Sequence, residues 1–592
     1  MRGSGRALFL LGGIMEEQKK LTGYPSIDKP WLKYYSREAI DAPLPECSLY
    51  EYLYECNKEH MEDYALNYFG NRITFRKLFD LVDRAAKSFL AIGVREGDMV
   101  PIVSVSTVAS VVCFYALNRI GAVVDFLNVL AEEDDLVAYF EEARAKVVVT
   151  LDLFGGKVEK AAQRCGVKNV ISFDVAYEMP LALKVGYRIK TGSRKPHREG
   201  ALSVINWIDF LKLSKGKPAI EYTKDPRKMC LLAHTGGTTG EPKAVMVDDN
   251  AMNVVAAYYK TCFQYTRGEV WANVIIPFVI YGLLACLHMP LTLGLEVVII
   301  PRFESDKWEE YIRKYHINYI LAAPVYVNVF YENPQYRSLD LRGLKLCGVG
   351  GDGMTAEKEI ALNEYFNEHG AAIEVLKGYG LSETCATAVT GLTGINKIGS
   401  VGIPLIHNNM MIYDNEQGTE LTYHEIGEIC LQSPSRMIGY MNNEQATRDL
   451  FRIHADGSEW LHTGDLGYID EDGFLFLVGR MKRVILTAKD GVTYKVFPNM
   501  SEKVLDENES VLQSCIVGAA SGADQVLRAF IAVSKEDLSR TADIEKALRQ
   551  LCEEKLPSYA RPTFYAFRDS LPLTAAGKID YRALEQLAAG ER

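Results

Sequence analysis

The chain has no surplus of positive charge, no paired-cysteine motif, no low-complexity tract and no fixed-period repeat. With 66 basic against 77 acidic residues its net charge is −11. This argues against nucleic acid as the main partner, because phosphate backbones need an electropositive face. It leaves room for local basic sites that hold anionic nucleotides. The 12 cysteines are scattered from Cys47 to Cys552 without a CxxC pair. That excludes a disulfide framework or a zinc site and fits reduced thiols in a cytoplasmic protein. Long hydrophobic runs are imitated twice. Arg2 and Arg6 precede ALFLLGGIM in the manner of a signal peptide, but the run is short, lacks an A-x-A-like site and meets Glu16 and Glu17 at once. Met15 reads as a plausible start and residues 1–14 as a disordered extension. Val274–Gly294 is long enough for a membrane span. Pro277, Pro290 and His288 interrupt it, and LEVVIIP follows, so it reads as a buried helix feeding a core strand.

What is present is ordinary for a soluble enzyme of more than one domain: 592 residues, 48% hydrophobic and 24% charged. From about residue 45 to 400, strand-like and helix-like segments alternate, the pattern of an α/β architecture. MVPIVSVS (Met99–Ser106), AKVVVT (Ala145–Thr150) and VWANVIIP (Val270–Pro277) read as strands; Thr107–Gly121 and Asp306–Tyr315 read as helices. The texture changes near Leu477, and the last part has its own α+β pattern, including an amphipathic helix over Asp543–Lys555. A boundary is expected at Gly479–Lys482. This divides the chain into an N-terminal extension (1–44), a large domain (45–480) and a small C-terminal domain (481–592). Leu181–Arg198 is basic and partly amphipathic. It reads either as a solvated loop or as a peripheral membrane contact.

The segment LLAHTGGTTGEPKAVMV, Leu231–Val247, sets a Gly/Thr loop between two strand-like runs. Its backbone N–H groups can close on phosphate oxygens, with hydroxyls from Thr235, Thr238 and Thr239 and the charge of Lys243. It is not a Walker A loop, because Pro242 precedes the lysine and Ala244 follows it. Alone it could equally be a surface hairpin. Further segments change the odds. KGYGLSET (Lys377–Thr384) offers Tyr379 as a flat face for a purine, Ser382 as a phosphate donor and Glu383 as a Mg²⁺ ligand. LHTGDLGYIDEDGFLFLVGR (Leu461–Arg480) sets Asp465 in a glycine-bordered turn, where it could accept both ribose hydroxyls, and Arg480 after a second strand. LPLTAAGKIDYRAL (Leu571–Leu584) places Lys578 on a glycine-containing turn.

In this order the segments resemble the adenylate-forming superfamily of acyl-CoA synthetases, peptide-synthetase adenylation domains and firefly-type luciferases. TGGTTGEPKAV matches its phosphate loop, GYGLSET its adenine and Mg²⁺ motif, HTGD and GRMK its ribose motif and hinge, and PLTAAGK its C-terminal lysine motif. IGEICLQSPSRMIGYMNNEQAT resembles the stretch before the ribose motif. The resemblance implies layered α/β subdomains with a small β-rich one, and a mobile C-terminal domain. It implies a carboxylic acid, ATP, Mg²⁺ and coenzyme A as reactants and cofactor. The acid attacks the α-phosphate of ATP to give acyl-adenylate and pyrophosphate, and a thiol then displaces AMP. Catalytic roles fall to Lys578, bridging carboxylate and α-phosphate, and to Glu383 as metal ligand. Thr235, Gly236, Gly237, Thr238, Thr239, Gly240 and Lys243 are expected to hold the departing phosphates. Gly350, Gly351, Gly378, Tyr379, Gly380, Ser382, Asp465 and Arg480 should complete the nucleotide site. Lys482 matches the hinge, and Lys489 would serve the thiolation face.

Departures from the family pattern bear on substrate more than on ATP. Ala244 stands where glycine is usual, and Val279 or Ile280 where a gating histidine often lies. VIYGLLACL holds no charged anchor for an amino-acid substrate. The expected reaction is therefore ligation of a hydrophobic acid, medium- or long-chain fatty, to CoA. The alternatives are an aryl or sterol acid, or a stand-alone ligase loading a carrier protein. No carrier module is expected after the lysine motif.

Overall fold

The computed structural model describes residues 21–590 except 192–196, 200–201, 222–224, 236–242, 490–491, 522–523 and 574–578. The expected extension over residues 1–14 lies outside the described residues. Among the described residues, two nine-stranded sheets form the large unit. The first runs from Ile403–Pro404 through Val389–Thr390, Val375–Tyr379, Leu346–Val349, Tyr319–Ala322, Val270–Asn273, Glu296–Ile299 and Tyr64–Tyr68 to Asn71–Thr74. The second runs from Gly439–Tyr440 through Lys243–Asp248, Met229–Thr235, Val123–Leu127, Met99–Val103, Val147–Leu151, Asn169–Phe173 and Leu202–Asn206 to His197–Glu199. Their central strands are parallel and buried on both faces. This is why runs such as VVVTL lack the alternation of a half-exposed strand.

Helices cover these sheets with faces legible in the sequence. Phe75–Ala91 buries Leu78, Val82, Ala85 and Phe89, three or four residues apart. Val108–Arg119 starts at a capping box of Thr107 and Ser110. The apolar run that imitates a membrane span folds as Ile280–Leu283, a π-helical turn over Leu284–His288, and Met289–Thr292. It is almost wholly buried and leads into the core strand Glu296–Ile299. No described helix is long and apolar enough to cross a membrane. Residues 25–57 lie against this unit, with Trp31 wholly buried and the Tyr35 hydroxyl donating to the Pro404 carbonyl at 2.9 Å.

A smaller antiparallel sheet is built around Asn409–Asp414, Gly427–Gln432 and Glu459–Ile469, with Leu475–Arg480 on its flank. Past Arg480 a separate core of Ile485, Leu505, Ile516, Ile531 and Leu548 belongs to a five-stranded sheet with its own helices. The helix Thr541–Lys555 buries Ile544, Leu548 and Cys552 there. The fold is thus α/β, with a large N-terminal unit that includes a β-rich part and a small α+β C-terminal unit.

Candidate active site

Two parallel strands end at the site. Val375–Tyr379 runs parallel to Leu346–Val349, and Met229–Thr235 parallel to Val123–Leu127. Ligands of open α/β sheets bind beyond such carboxyl ends. Thr235 pairs with Lys243 across the hairpin whose connection is the Gly/Thr loop, and its Oγ1 accepts the Lys243 N–H at 3.4 Å. Gly236, Gly237, Thr238, Thr239 and Gly240 lie outside the described residues.

One tyrosine joins that hairpin to the next motif. The Lys243 ammonium sits 4.6 Å from the centre of the Tyr440 ring, an attractive cation–π distance. The Tyr440 hydroxyl donates to Glu383 Oε1 at 2.5 Å. Burial and the Glu383 charge push the Tyr440 hydroxyl far above its usual range, so it remains a donor at neutral pH. Tyr440 is not among the residues the sequence motifs point to. Its only signal was membership of the stretch resembling the segment before the ribose motif.

Glu383 lies in the short turn Ser382–Thr384, and its backbone carbonyl accepts the Met437 N–H at 2.8 Å. The chain then doubles back through Cys385 and Ala386, with φ of 51° and 76°, a region that side-chain-bearing residues seldom occupy. A methyl group on Gly380 would lie 2.0 Å from the Ala386 carbonyl oxygen, so only glycine fits there. Gly350 follows the strand Leu346–Val349; a Cβ there would lie 3.4 Å from the Tyr281 ring and 3.6 Å from the Gly378 carbonyl oxygen. Gly351 has φ of 85°. Gly350 thus leaves close room beside Tyr281, while a Cβ on Gly378 would lie 3.3 Å from the Val389 carbonyl oxygen.

The β-rich sheet supplies the other wall. The Tyr379 hydroxyl donates to Asp465 Oδ2 at 2.8 Å, and Arg480 Nε lies 2.9 Å from Asp465 Oδ1. Asp465 is expected in a turn, yet it lies inside the long strand Glu459–Ile469, directly opposite Arg480. A local irregularity explains why the sequence looks turn-like. Gly464 has φ of 71°, and its N–H leaves the ladder to reach Glu428 Oε1 at 2.9 Å. The other oxygen of Glu428 meets His462 Nδ1 at 2.7 Å and accepts from Asn415 at 2.8 Å. Burial alone would raise the Glu428 pKa. The bonds from His462, Asn415 and Gly464 overcome it and hold the carboxyl below its ordinary value. His454 Nε2 meets the outer nitrogen of His462 at 2.9 Å. Glu428, Cys430 and His462 are donor types that metals use, and here they meet one another directly, with Cys430 Sγ 3.4 Å from His462 Nδ1. The cluster braces the backbone of Asp465.

His234, next to Thr235, was not anticipated either. Its Nε2 lies 2.9 Å from Asp125 Oδ1. Burial works against charge on this ring, but Asp125, with Glu142 beyond it, more than compensates and raises its pKa. Lys482 is exposed in the turn Met481–Arg483, directly after Arg480. Lys489 ends the strand Ile485–Lys489, and its side chain lies outside the described residues. Lys578 is outside them too; Leu573 and Ile579, either side of its segment, form a β-bridge.

Three sheets therefore converge on the Thr235–Lys243 hairpin, a carboxylate suited to a hard cation and an Asp–Arg pair suited to a ribose. The class of protein so defined is an adenylate-forming enzyme, an AMP-forming acid–thiol ligase. A family model described as AMP-binding enzyme matches residues 53–441, and one described as AMP-binding enzyme C-terminal domain matches residues 501–578. The chain belongs to the AMP-binding enzyme family. It is 28% identical to the long-chain-fatty-acid–CoA ligase of Bacillus subtilis (strain 168), over 94% of this chain and 97% of that one. It is also 28% identical to the probable 4-coumarate–CoA ligase 1 of Dictyostelium discoideum, over 84% and 87% of the two chains. Among solved structures it resembles the anthranilate CoA ligase AuaEII in complex with anthranoyl-AMP. That likeness has a TM-score of 0.78 at 20% identity and covers 93% of this chain and 99% of the other.

Proposed function

We propose that the protein activates a hydrophobic carboxylic acid, medium- or long-chain fatty, as its acyl-adenylate and transfers the acyl group to coenzyme A. The observation that carries this reading is the pair of tyrosine bridges. Tyr440 joins Lys243 to Glu383, and Tyr379 joins the end of the central sheet to Asp465 and Arg480. They set a phosphate-binding end and a ribose-binding end on one wall. Likeness to the Bacillus subtilis ligase over nearly the whole of both chains, and the uncharged VIYGLLACL run, support a fatty acid.

In this reading Asp465 accepts the ribose hydroxyls. Gly350, Gly351, Gly378, Tyr379 and Gly380 border the base, and Ser382 donates to a phosphate. The loop from Thr235 to Lys243 holds the pyrophosphate as it leaves. Glu383 fits a divalent cation: Tyr440 takes one carboxylate oxygen, and no described residue donates to the other. Mg²⁺ bound there would neutralise phosphate charge. Lys578 would bridge the attacking carboxylate and the α-phosphate, two anions that otherwise repel. The large domain ends at residue 480, Lys482 is the pivot on which residues 481–592 turn between half-reactions, and Lys489 faces the thiol. The setting is cytoplasmic, with a membrane surface as one source of the acid.

The test is pyrophosphate release with a panel of fatty, aryl and sterol acids, with and without CoA. A fatty acid giving the highest kcat/KM, with CoA consumed, is the expected result. Preference for an aryl or sterol acid changes the substrate class. Adenylate that forms but leaves CoA untouched points instead to a carrier protein as acceptor.

A further inference from the structure

The helix Leu181–Thr191 is amphipathic in the wrong sense for a protein surface. A surface helix ordinarily turns its apolar stripe to the core and its charges to water. Here Leu181, Val185 and Ile189, four residues apart and so on one face, are 77%, 49% and 81% exposed. Leu183, on a different side of the helix, is also 48% exposed. The less exposed positions are Lys184, Tyr187 and Arg188. The Arg188 guanidinium donates to Asp174 at 2.8 Å. Asp174 begins the turn whose Val175 carbonyl accepts the buried Tyr68 hydroxyl at 2.8 Å. The polar face is therefore fastened to the body and the apolar face is held outward. Single exposed apolar residues are common on any protein, whereas a stripe of them marks an interaction surface.

Charge selects the occupant. Leu181–Arg198 carries six lysines and arginines and no acidic residue, in a chain of net charge −11. A second copy packed about a two-fold axis would bring this stretch against itself, and like charges would oppose it. An anionic lipid surface satisfies both halves of the pattern. Apolar side chains enter the headgroup boundary, and the positive charge of the segment as a whole favours an anionic surface over a neutral one. Most of the acidic chain is repelled by such a surface, so this stretch also sets which side approaches. We propose that the helix Leu181–Thr191 is a peripheral docking element that lays its Leu181–Val185–Ile189 stripe into an anionic membrane surface. Its use for delivering a greasy acid rests on the function proposed above, but the binding itself does not.

The experiment is co-sedimentation of the full chain with phosphatidylcholine vesicles, with and without phosphatidylglycerol, in the absence of ATP and acid. Binding should require the anionic lipid and weaken as salt is raised. The Leu181→Glu/Ile189→Glu variant should partition about tenfold less, with its urea midpoint and its light-scattering mass unchanged. Absence of binding, or equal binding by the variant, overturns the proposal. So does a wild-type dimer that the variant converts to monomer, which would make a second copy the occupant. Because no turnover is measured, a wrong acid or acceptor leaves the outcome intact.

Discussion

Tyr440 is the residue on which two predicted motifs depend, and its two contacts can be separated. Tyr440→Phe keeps a ring beneath Lys243 and removes the donor to Glu383. A hydrogen bond to a charged group contributes about 1.5–3 kcal/mol, so kcat/KM for ATP in pyrophosphate release should fall roughly tenfold or more. Tyr440→Leu should fall further; equal losses would mean that the ring contributes nothing to holding Lys243. His288, in the buried turn Leu284–His288, sets a pH limit on stability. It is wholly buried as a neutral ring between the Tyr115 hydroxyl at 3.0 Å and Asn253 Oδ1 at 2.9 Å. Burial pushes its pKa down to about 3. An unfolded chain binds a proton at this histidine below about pH 6.5 and the folded one does not. Its contribution is therefore complete above that pH and is lost as pH falls toward 3. At pH 5 the loss is about 2 kcal/mol. The drop in urea midpoint from pH 7 to pH 5 should accordingly be smaller in His288→Gln than in the parent chain.

Among the elements, the loop after the strand Val375–Tyr379 has little freedom. Gly380 lies against the Ala386 carbonyl, and Cys385 and Ala386 hold left-handed backbone so that the chain can return beneath it. Gly380→Ala forces backbone to move, which costs about 1–3 kcal/mol, and it displaces Glu383. A lower urea midpoint together with a raised KM for ATP is expected. Lost stability with an unchanged KM would show that the loop's shape does not set the site. The parallel strands and the helix Val108–Arg119 were legible because apolar runs and a Thr/Ser cap act over a few residues. The Asp465 segment was misread as a turn for a reason equally physical. Gly464 has the dihedral of a turn, but its N–H finds the Glu428 carboxylate from a neighbouring strand and the ladder continues. The contact spans 36 positions, which no local pattern encodes.

Across the whole molecule, the proposed reaction would need Lys578 of the C-terminal unit to meet residues of the large one. Lys578→Ala should cut adenylate formation by about 10²–10³-fold, the scale for loss of one positioned transition-state donor. It should cost far less when preformed acyl-adenylate is supplied with CoA, and equal losses in both half-reactions would refute the assigned role. Lys482 is exposed between two compact cores, directly after the Arg480 that pairs with Asp465. Lys482→Pro should spare pyrophosphate release and impair thioester formation, since proline fixes one of the dihedrals a hinge must change. Unchanged overall turnover would remove the hinge. Two side-chain contacts of the described residues cross this edge. Lys495 meets Glu416 at 2.5 Å and Asn415 approaches Met481, groups that can part without exposing a core.

The sequence by itself determined the class of the enzyme. Backbone-binding loops need glycine and threonine at fixed local spacing, metal and ribose need carboxylates, and these residues stand in order along one chain. It also determined the parallel core strands and the helices that cover them, because apolar period and capping are local. Only the tertiary structure decided that Tyr440 and Tyr379 tie three sheets together at one point. It alone placed Asp465 in a strand braced by Glu428 and His462. It also decided that the basic segment after Pro180 carries its apolar stripe outward. In each case the partners lie tens to hundreds of residues apart, and contact chemistry depends on distance in space.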